Sequence, residues 1–334
     1  MMERLLLNFF GITCLIESEN LEILQRIRDD FSYFVTDKAT TVDFQFRHFD
    51  ACPPIDNIPD FPLIYTSRNS RTFEKNGVRF NDYNGKLLSI YDYNRDICTL
   101  YSTDMNRSHE VLYLLIHSRV GKTLDTMGLH RLHAMGVRKD EVDFLFVADT
   151  GVGKSTLLSG MLKMDKKLEL LSDDCPLIDE SGNVYPFPIR LGASSPEPLL
   201  KLGSGIYELE REEFGRKFLL STSELENPIA WSSSRRMVLA FGHRREGACT
   251  IQRMGKIRAF LSLVRPMVIG IGLPMILEYW WELGPTDFVR KARIGFKRMC
   301  SAIVLSCRAE CLEVVIGNDP DENIRTIVKY LRWN

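Results

Sequence analysis

The chain has 334 residues, 45% of them hydrophobic and 26% charged, which is enough for one large or two ordinary domains with their own cores and too apolar for a disordered chain. Forty-three Lys and Arg offset 44 Asp and Glu, so the overall charge calls for neither a nucleic acid nor an anionic membrane as partner. The eight cysteines are scattered and none has the CxxC spacing of a zinc site, so they read as free thiols of a reducing, cytoplasmic setting.

In chain order, the apolar stretch Leu5 to Ile16 has only Arg4 before it and no small-residue cleavage site, so it is read as a first strand and not a secretory leader. Leu21 to Phe34 is expected to be a helix. The runs Asp43 to Phe49, Val78 to Tyr83, Leu87 to Tyr93 and Ile97 to Thr103, with the turn Asn84-Gly85, predict a small antiparallel sheet. Val111, Leu112, Leu114, Leu115 and Ile116 predict a helix over Ser108 to Val120, stopped by Gly121, and a domain boundary near residue 122. The expected organisation is therefore a smaller α+β domain over 1–122 and an α/β domain over 123–334.

The second part opens with a strand at Asp143 to Val147, a loop, a helix at Lys154 to Met164 and an apolar run at Leu168 to Leu171, the order of a nucleotide-binding α/β unit. Met237 to Phe241 and Ala302 to Leu305 are read as further strands, and Pro320 to Arg332 as a closing helix begun by Asp319. Because Ala302 to Leu305 reads as a strand, Cys307 and Cys311 are not expected to share a helical face. Ala259 to Trp281 is apolar, but Arg265, Pro266, Pro274 and Glu278 argue for a buried helix–turn–helix and against a membrane span.

The loop carries the strongest chemical signal. Ala148-Asp149-Thr150-Gly151-Val152-Gly153-Lys154-Ser155-Thr156 matches the P-loop pattern GxxxxGKS/T except that Ala148 replaces the leading glycine. Its glycines let backbone N–H groups turn onto phosphates, its lysine reaches the outer phosphates, its serine suits Mg²⁺, and the helix dipole adds positive potential. Asp149 to Thr156 are thus the expected nucleotide-binding residues. Asp173 and Asp174 follow the next apolar run, at a sheet edge where one carboxylate can serve a metal and another a proton. His133 lies upstream, and His130, three residues earlier, could share its face on a short helix.

Together, His133, the loop and Asp173-Asp174 resemble the kinase domain of HPr kinase/phosphorylase. The stretches Gly128 to Ala134, Ser172 to Asp174 and Tyr185 to Gly192 look like divergent HPr-kinase-like proteins, some of which phosphorylate lasso-peptide precursors. The resemblance implies a P-loop, HPr-kinase-like C-terminal domain that uses ATP and Mg²⁺ to phosphorylate a serine-type hydroxyl of a peptide or protein. It assigns Lys154 to the phosphates, Ser155 and Asp174 to the metal, Asp173 as base, His133 as the residue that orients that base, and Arg190 to charge neutralisation in the transition state. The signature loop that follows the aspartates in true members is missing, since Arg190-Leu191-Gly192-Ala193 is only faintly similar, so HPr is not implied as the acceptor. No nucleic acid or membrane partner is expected, and assembly into a homo-oligomer is compatible with the sequence. A small-molecule kinase and a non-catalytic nucleotide sensor are the alternative functions.

Overall fold

A computed structural model describes residues 2–38, 41–231, 234–270 and 284–333. The chain is mixed α/β and divides into two compact units. The first contains Met1–Val120 together with Tyr207–Phe218, so a later hairpin that the sequence analysis places in the second domain belongs to the first; the second contains Gly121–Ile206 and Leu219–Asn334.

The first unit is built on an eight-stranded sheet, β1 (Glu3–Phe9), β2 (Ile12–Ser18), β3 (Phe44–Phe49), β4 (Leu63–Thr66), β5 (Arg71–Lys75), β6 (Val78–Asp82), β7 (Leu88–Asp92) and β8 (Ile97–Tyr101), in the order β1-β2-β3-β8-β7-β6-β5-β4. Two expectations are corrected here. Leu5 to Ile16 is two strands and not one, because Phe10 and Gly11 adopt φ of 56° and 93° and close a tight hairpin. The sheet is mixed, since β3 lies parallel to both β2 and β8. The Asn84-Gly85 turn has positive φ at both residues, the geometry this dipeptide favours between β6 and β7. Helix α1 (Leu21–Asp30) is capped by the Asn20 side chain and buries Ile23, Leu24 and Ile27; it ends four residues before Phe34, with Ser32–Phe34 as a short 3₁₀ turn.

Helix α2 (Met105–Thr126) runs through Gly121, where the sequence predicts a stop. Glycine serves packing there. A Cβ at Gly121 would lie 2.3 Å from the Arg131 guanidinium, so the missing side chain makes room for a buried cation.

The second unit continues with β9 (His130–Arg131), β10 (Met135–Lys139), β11 (Val142–Ala148), α3 (Lys154–Met164), β12 (Glu169–Ser172), β13 (Leu177–Ile178), β14 (Val184–Tyr185), β15 (Leu191–Ala193), α4 (Glu197–Leu200), β18 (Arg236–Arg244), β19 (Thr250–Arg253), α5 (Lys256–Leu263), α6 (Gly284–Arg308), β20 (Glu310–Ile316) and α7 (Pro320–Leu331), while the hairpin strands β16 (Ile206–Arg211) and β17 (Gly215–Leu220), between α4 and β18, fall largely in the first unit. Its central sheet has the order β12-β10-β11-β18-β20-β19, with β11, β18 and β20 parallel. Alternation along β11 sends Leu145 and Val147 into a core shared with Ala259, Leu263, Met267, Ala302 and Leu305, while Phe146 on the other side covers Gly242. Helices α3 and α7 pack together, and Gly160 lets Ile324 approach.

Ala302–Leu305 is helical, which corrects the strand expected there: Ala302 and Leu305 are buried at a spacing of three while Ile303 is exposed. Cys307 therefore ends a helix and Cys311 sits on β20, so the two do not share a helical face. The Ala259 to Trp281 expectation is described up to Gly270, as α5 followed by a π-helical turn over Val264–Ile269; residues 271–283 lie outside the described residues. Among the described residues no helix is long and apolar enough to cross a membrane.

Candidate functional site

Strand β11 delivers the chain into the glycine loop and α3 takes it away. Gly151 and Gly153 adopt φ of 87° and 114°, a region that disfavours L side chains, although a Cβ at either would meet nothing within 4 Å. Backbone conformation, and not space, demands glycine at these positions. Ala148 is still in the strand and is absent from the positive-φ residues, so the position where the motif usually has glycine needs none here. The loop thus ends at the N-terminus of an eleven-residue helix, where N–H groups without helical partners and the helix dipole favour an anion.

Lys154, the first residue of α3, turns back over the loop. Its Nζ donates to the Ala148 carbonyl at 2.8 Å and to His133 Nε2 at 2.6 Å. On its other side the His133 Nδ1 lies 3.1 Å from Asp174 Oδ1. An ammonium at Nε2 and a carboxylate at Nδ1 together assign the neutral tautomer with its proton on Nδ1, donating to Asp174. The ring is held by its own backbone. Leu132 N–H donates to Pro176 O, His133 N–H to Pro266 O and Ala134 N–H to Asp174 O, so the segment before β10 is laced to the turn that carries the aspartates.

That turn is fixed by Ser172, whose buried hydroxyl donates to Phe187 O at 2.9 Å and accepts the Cys175 N–H at 3.0 Å. Asp173 is nearly buried and its Oδ2 accepts the Gly192 N–H at 3.0 Å. Ser155 Oγ donates to the Gly192 carbonyl at 2.9 Å. Gly192 therefore ties the first turn of α3 to the first aspartate. Because Ser155 spends its proton on Gly192, its oxygen lone pairs stay available to a cation. The Asp174 side chain is half exposed, in contrast to Asp173.

The structure thus brings together Lys154, His133, Asp174, Ser155 and Asp173, residues drawn from three separate stretches of chain. Arg190 is nearly buried two residues ahead of Gly192. Asp149 is exposed beside Arg265, 3.7 Å away, and Thr150 and Gly151 are exposed at the loop tip. His130 corrects an expectation: it lies in β9, not on a short helix with His133, and its Nδ1 meets the buried Asp125 at 2.9 Å. Asp125 also holds Arg298, so His130 belongs to a buried ionic cluster and not to the loop. The Gly192 backbone clamp and Arg265 were not singled out from sequence. Main-chain groups leave no residue-type signal, and Arg265 is read there only as a charge that breaks an apolar run.

Among the described residues no group of three or more His, Cys, Asp or Glu side chains is arranged to hold a metal ion by itself. What the site offers is a loop end whose backbone favours an anion, a lysine folded back over it, and two differently placed carboxylates, one of them in contact with His133. No protein-family profile matches the chain, and no curated protein matches it.

Proposed function

We propose that this chain is an ATP- and Mg²⁺-dependent kinase that transfers the γ-phosphate to a serine-type hydroxyl of a peptide or protein, with a P-loop, HPr-kinase-like second domain. The observation that carries the reading is the contact chain from Lys154 through His133 to Asp174, set beside a Ser155–Gly192–Asp173 clamp at the mouth of the glycine loop.

The residues fit the groups this reading requires. Gly151 and Gly153 hold the loop in a conformation that exposes N–H groups at a helix start, as a polyphosphate needs. Mg²⁺ is commonly bound through one or two carboxylates with phosphate and water oxygens, so the absence among the described residues of a group of three His, Cys, Asp or Glu side chains does not count against it. Ser155 and Asp174 would hold the metal, which would supply positive charge against the charge that develops on the phosphates.

Lys154 would exchange its bonds to Ala148 O and His133 for phosphate oxygens, a short swing of a flexible side chain at the same helix start. Asp173 would accept the acceptor's hydroxyl proton, its carboxylate oriented by the Gly192 N–H. His133 touches Asp174 and Lys154, so it would act by positioning both. Arg190 would supply further positive charge. The test is transfer of radiolabelled γ-phosphate from ATP to serine-containing peptides or to free serine. Labelled serine alone would favour a small-molecule kinase, and ATP binding without any transfer would favour a nucleotide sensor.

A further inference from the structure

The glycine loop has two flanks, and they differ. Within the sheet, β11 lies between β10 and β18. On the β10 side stand the groups with reactive chemistry: His133 precedes β10, and Asp173 and Asp174 follow β12. On the β18 side a groove of about 120 Å³ opens against the loop itself, at the carboxyl ends of parallel strands where α/β sheets place ligands.

Val152, Gly153 and Leu157 form one wall of this groove; the other is formed by Arg244 at the end of β18 and by Asn318 and Pro320 in the turn between β20 and α7. That turn is rigid. Asn323 accepts the Gly317 N–H at 2.9 Å and donates to the Gly317 carbonyl at 3.2 Å, and a Cβ at Gly317 would collide with the Gly247 carbonyl at 2.3 Å. Asn323 is thus spent on shaping the rim. Arg244 is exposed and pairs with no carboxylate among the described residues, unlike Arg236 at the other end of the same strand, which pairs with Glu310. An unpaired planar cation over a partly apolar cleft is suited to lying against a flat aromatic ring.

We infer that this groove holds the nucleoside end of the nucleoside triphosphate, with the base against Arg244 and its phosphates crossing the loop so that the terminal one lies toward His133 and the aspartates. The inference rests on the nucleotide reading above and adds a direction to it. A triphosphate seated the other way would put its base among Asp173, Asp174 and His133, leaving no reactive group near the terminal phosphate. Arg244 is then a residue of nucleoside affinity and takes no part in the transfer step.

Calorimetric titration of the full chain with Mg-ATP and, separately, with inorganic tripolyphosphate tests this, using wild type, Arg244→Ala and Arg244→Lys. The expected result is that Arg244→Ala weakens ATP about three- to thirtyfold, the range of a desolvated cation–ring contact, and leaves tripolyphosphate within about twofold. Arg244→Lys should also weaken ATP, because a point charge lacks the planar face. Two outcomes overturn the inference: equal weakening of both probes with rescue by Lys, which puts Arg244 on the phosphates, or ATP affinity unchanged in both variants. If wild type binds neither probe, the nucleotide reading itself fails, and that failure is separable from the other two.

Discussion

Replacing Asp125 with Ala removes the carboxylate that neutralises Arg298 in the interior of the second unit. Both side chains are buried, at 1% and 0% exposure. Arg298 Nε donates to Asp125 Oδ1 at 2.9 Å, Arg298 Nη2 donates to Oδ2, and His130 Nδ1 lies 2.9 Å from Oδ1. Truncation leaves a buried guanidinium without that counter-charge, a change that costs about 3–5 kcal/mol. For domains of this size, about 2–4 °C of melting temperature accompanies each kcal/mol, so a fall of about 6–20 °C is expected. The double variant Asp125→Ala/Arg298→Met should be less destabilised than Asp125→Ala, because the Arg298 charge is removed together with its partner. Acid titration adds a second readout. Burial pushes the Asp125 carboxyl up, but the Arg298 charge and the hydrogen bonds from His130 and Arg298 outweigh it and hold the group below the usual carboxylate range. A depressed carboxyl contributes stability that is present above its unfolded pKa of about 3.9 and is lost as pH falls through the folded value, so wild type should lose more stability below about pH 4 than the variant, which keeps only the loss from other depressed carboxylates such as Asp165 and Asp179. Thermal and urea unfolding measure all three. A shift under about 1 kcal/mol for Asp125→Ala, or strict additivity in the double variant, would refute the account of a buried, mutually dependent pair.

Three further outcomes follow from other parts of the structure. His48 is buried between the Ser18 and Ser108 hydroxyls, and burial lowers its pKa against the opposing pull of Asp50 and Glu19; its stabilisation is in place above the unfolded value of about 6.5 and is lost as pH falls below it, so urea midpoints at pH 7 and pH 5 should differ less in His48→Gln than in wild type. Gly121→Ala forces a methyl group onto the buried Arg131 guanidinium and should cost about 1–3 kcal/mol by denaturant unfolding, a neutral result showing that the arginine yields freely. Ser172→Ala leaves the Phe187 carbonyl without its hydroxyl donor and the Cys175 N–H without its acceptor, so it should cost about 1–3 kcal/mol; hydrogen exchange at Cys175 should quicken, and unchanged exchange would show that the turn holds without the hydroxyl.

The loop was legible because its chemistry constrains residue type: only glycine tolerates the backbone at 151 and 153, and the lysine and serine follow at fixed spacing. The aspartate pair was legible for a similar reason, its place after an apolar strand. What escaped has equally physical causes. Ala302 to Leu305 is a four-residue window, too short to separate a strand from one turn of a long amphipathic helix. Gly121 carried a stop signal that packing against Arg131 overrides. The split of Leu5 to Ile16 depended on Phe10 taking positive φ, which bulky residues seldom do. The Gly192 clamp consists of main-chain groups, and the groove wall joins Val152 to Arg244 and Pro320, contacts between distant stretches that no local pattern encodes.

The most direct test of the central claim is to measure ATP binding and γ-phosphate transfer together in wild type, Lys154→Ala and Asp173→Asn. The account predicts that wild type binds Mg-ATP and labels a hydroxyl acceptor, that Lys154→Ala loses transfer, and that Asp173→Asn keeps nucleotide binding while transfer collapses. Wild-type protein that does not bind ATP, or Asp173→Asn protein that transfers phosphate at near the wild-type rate, would contradict it.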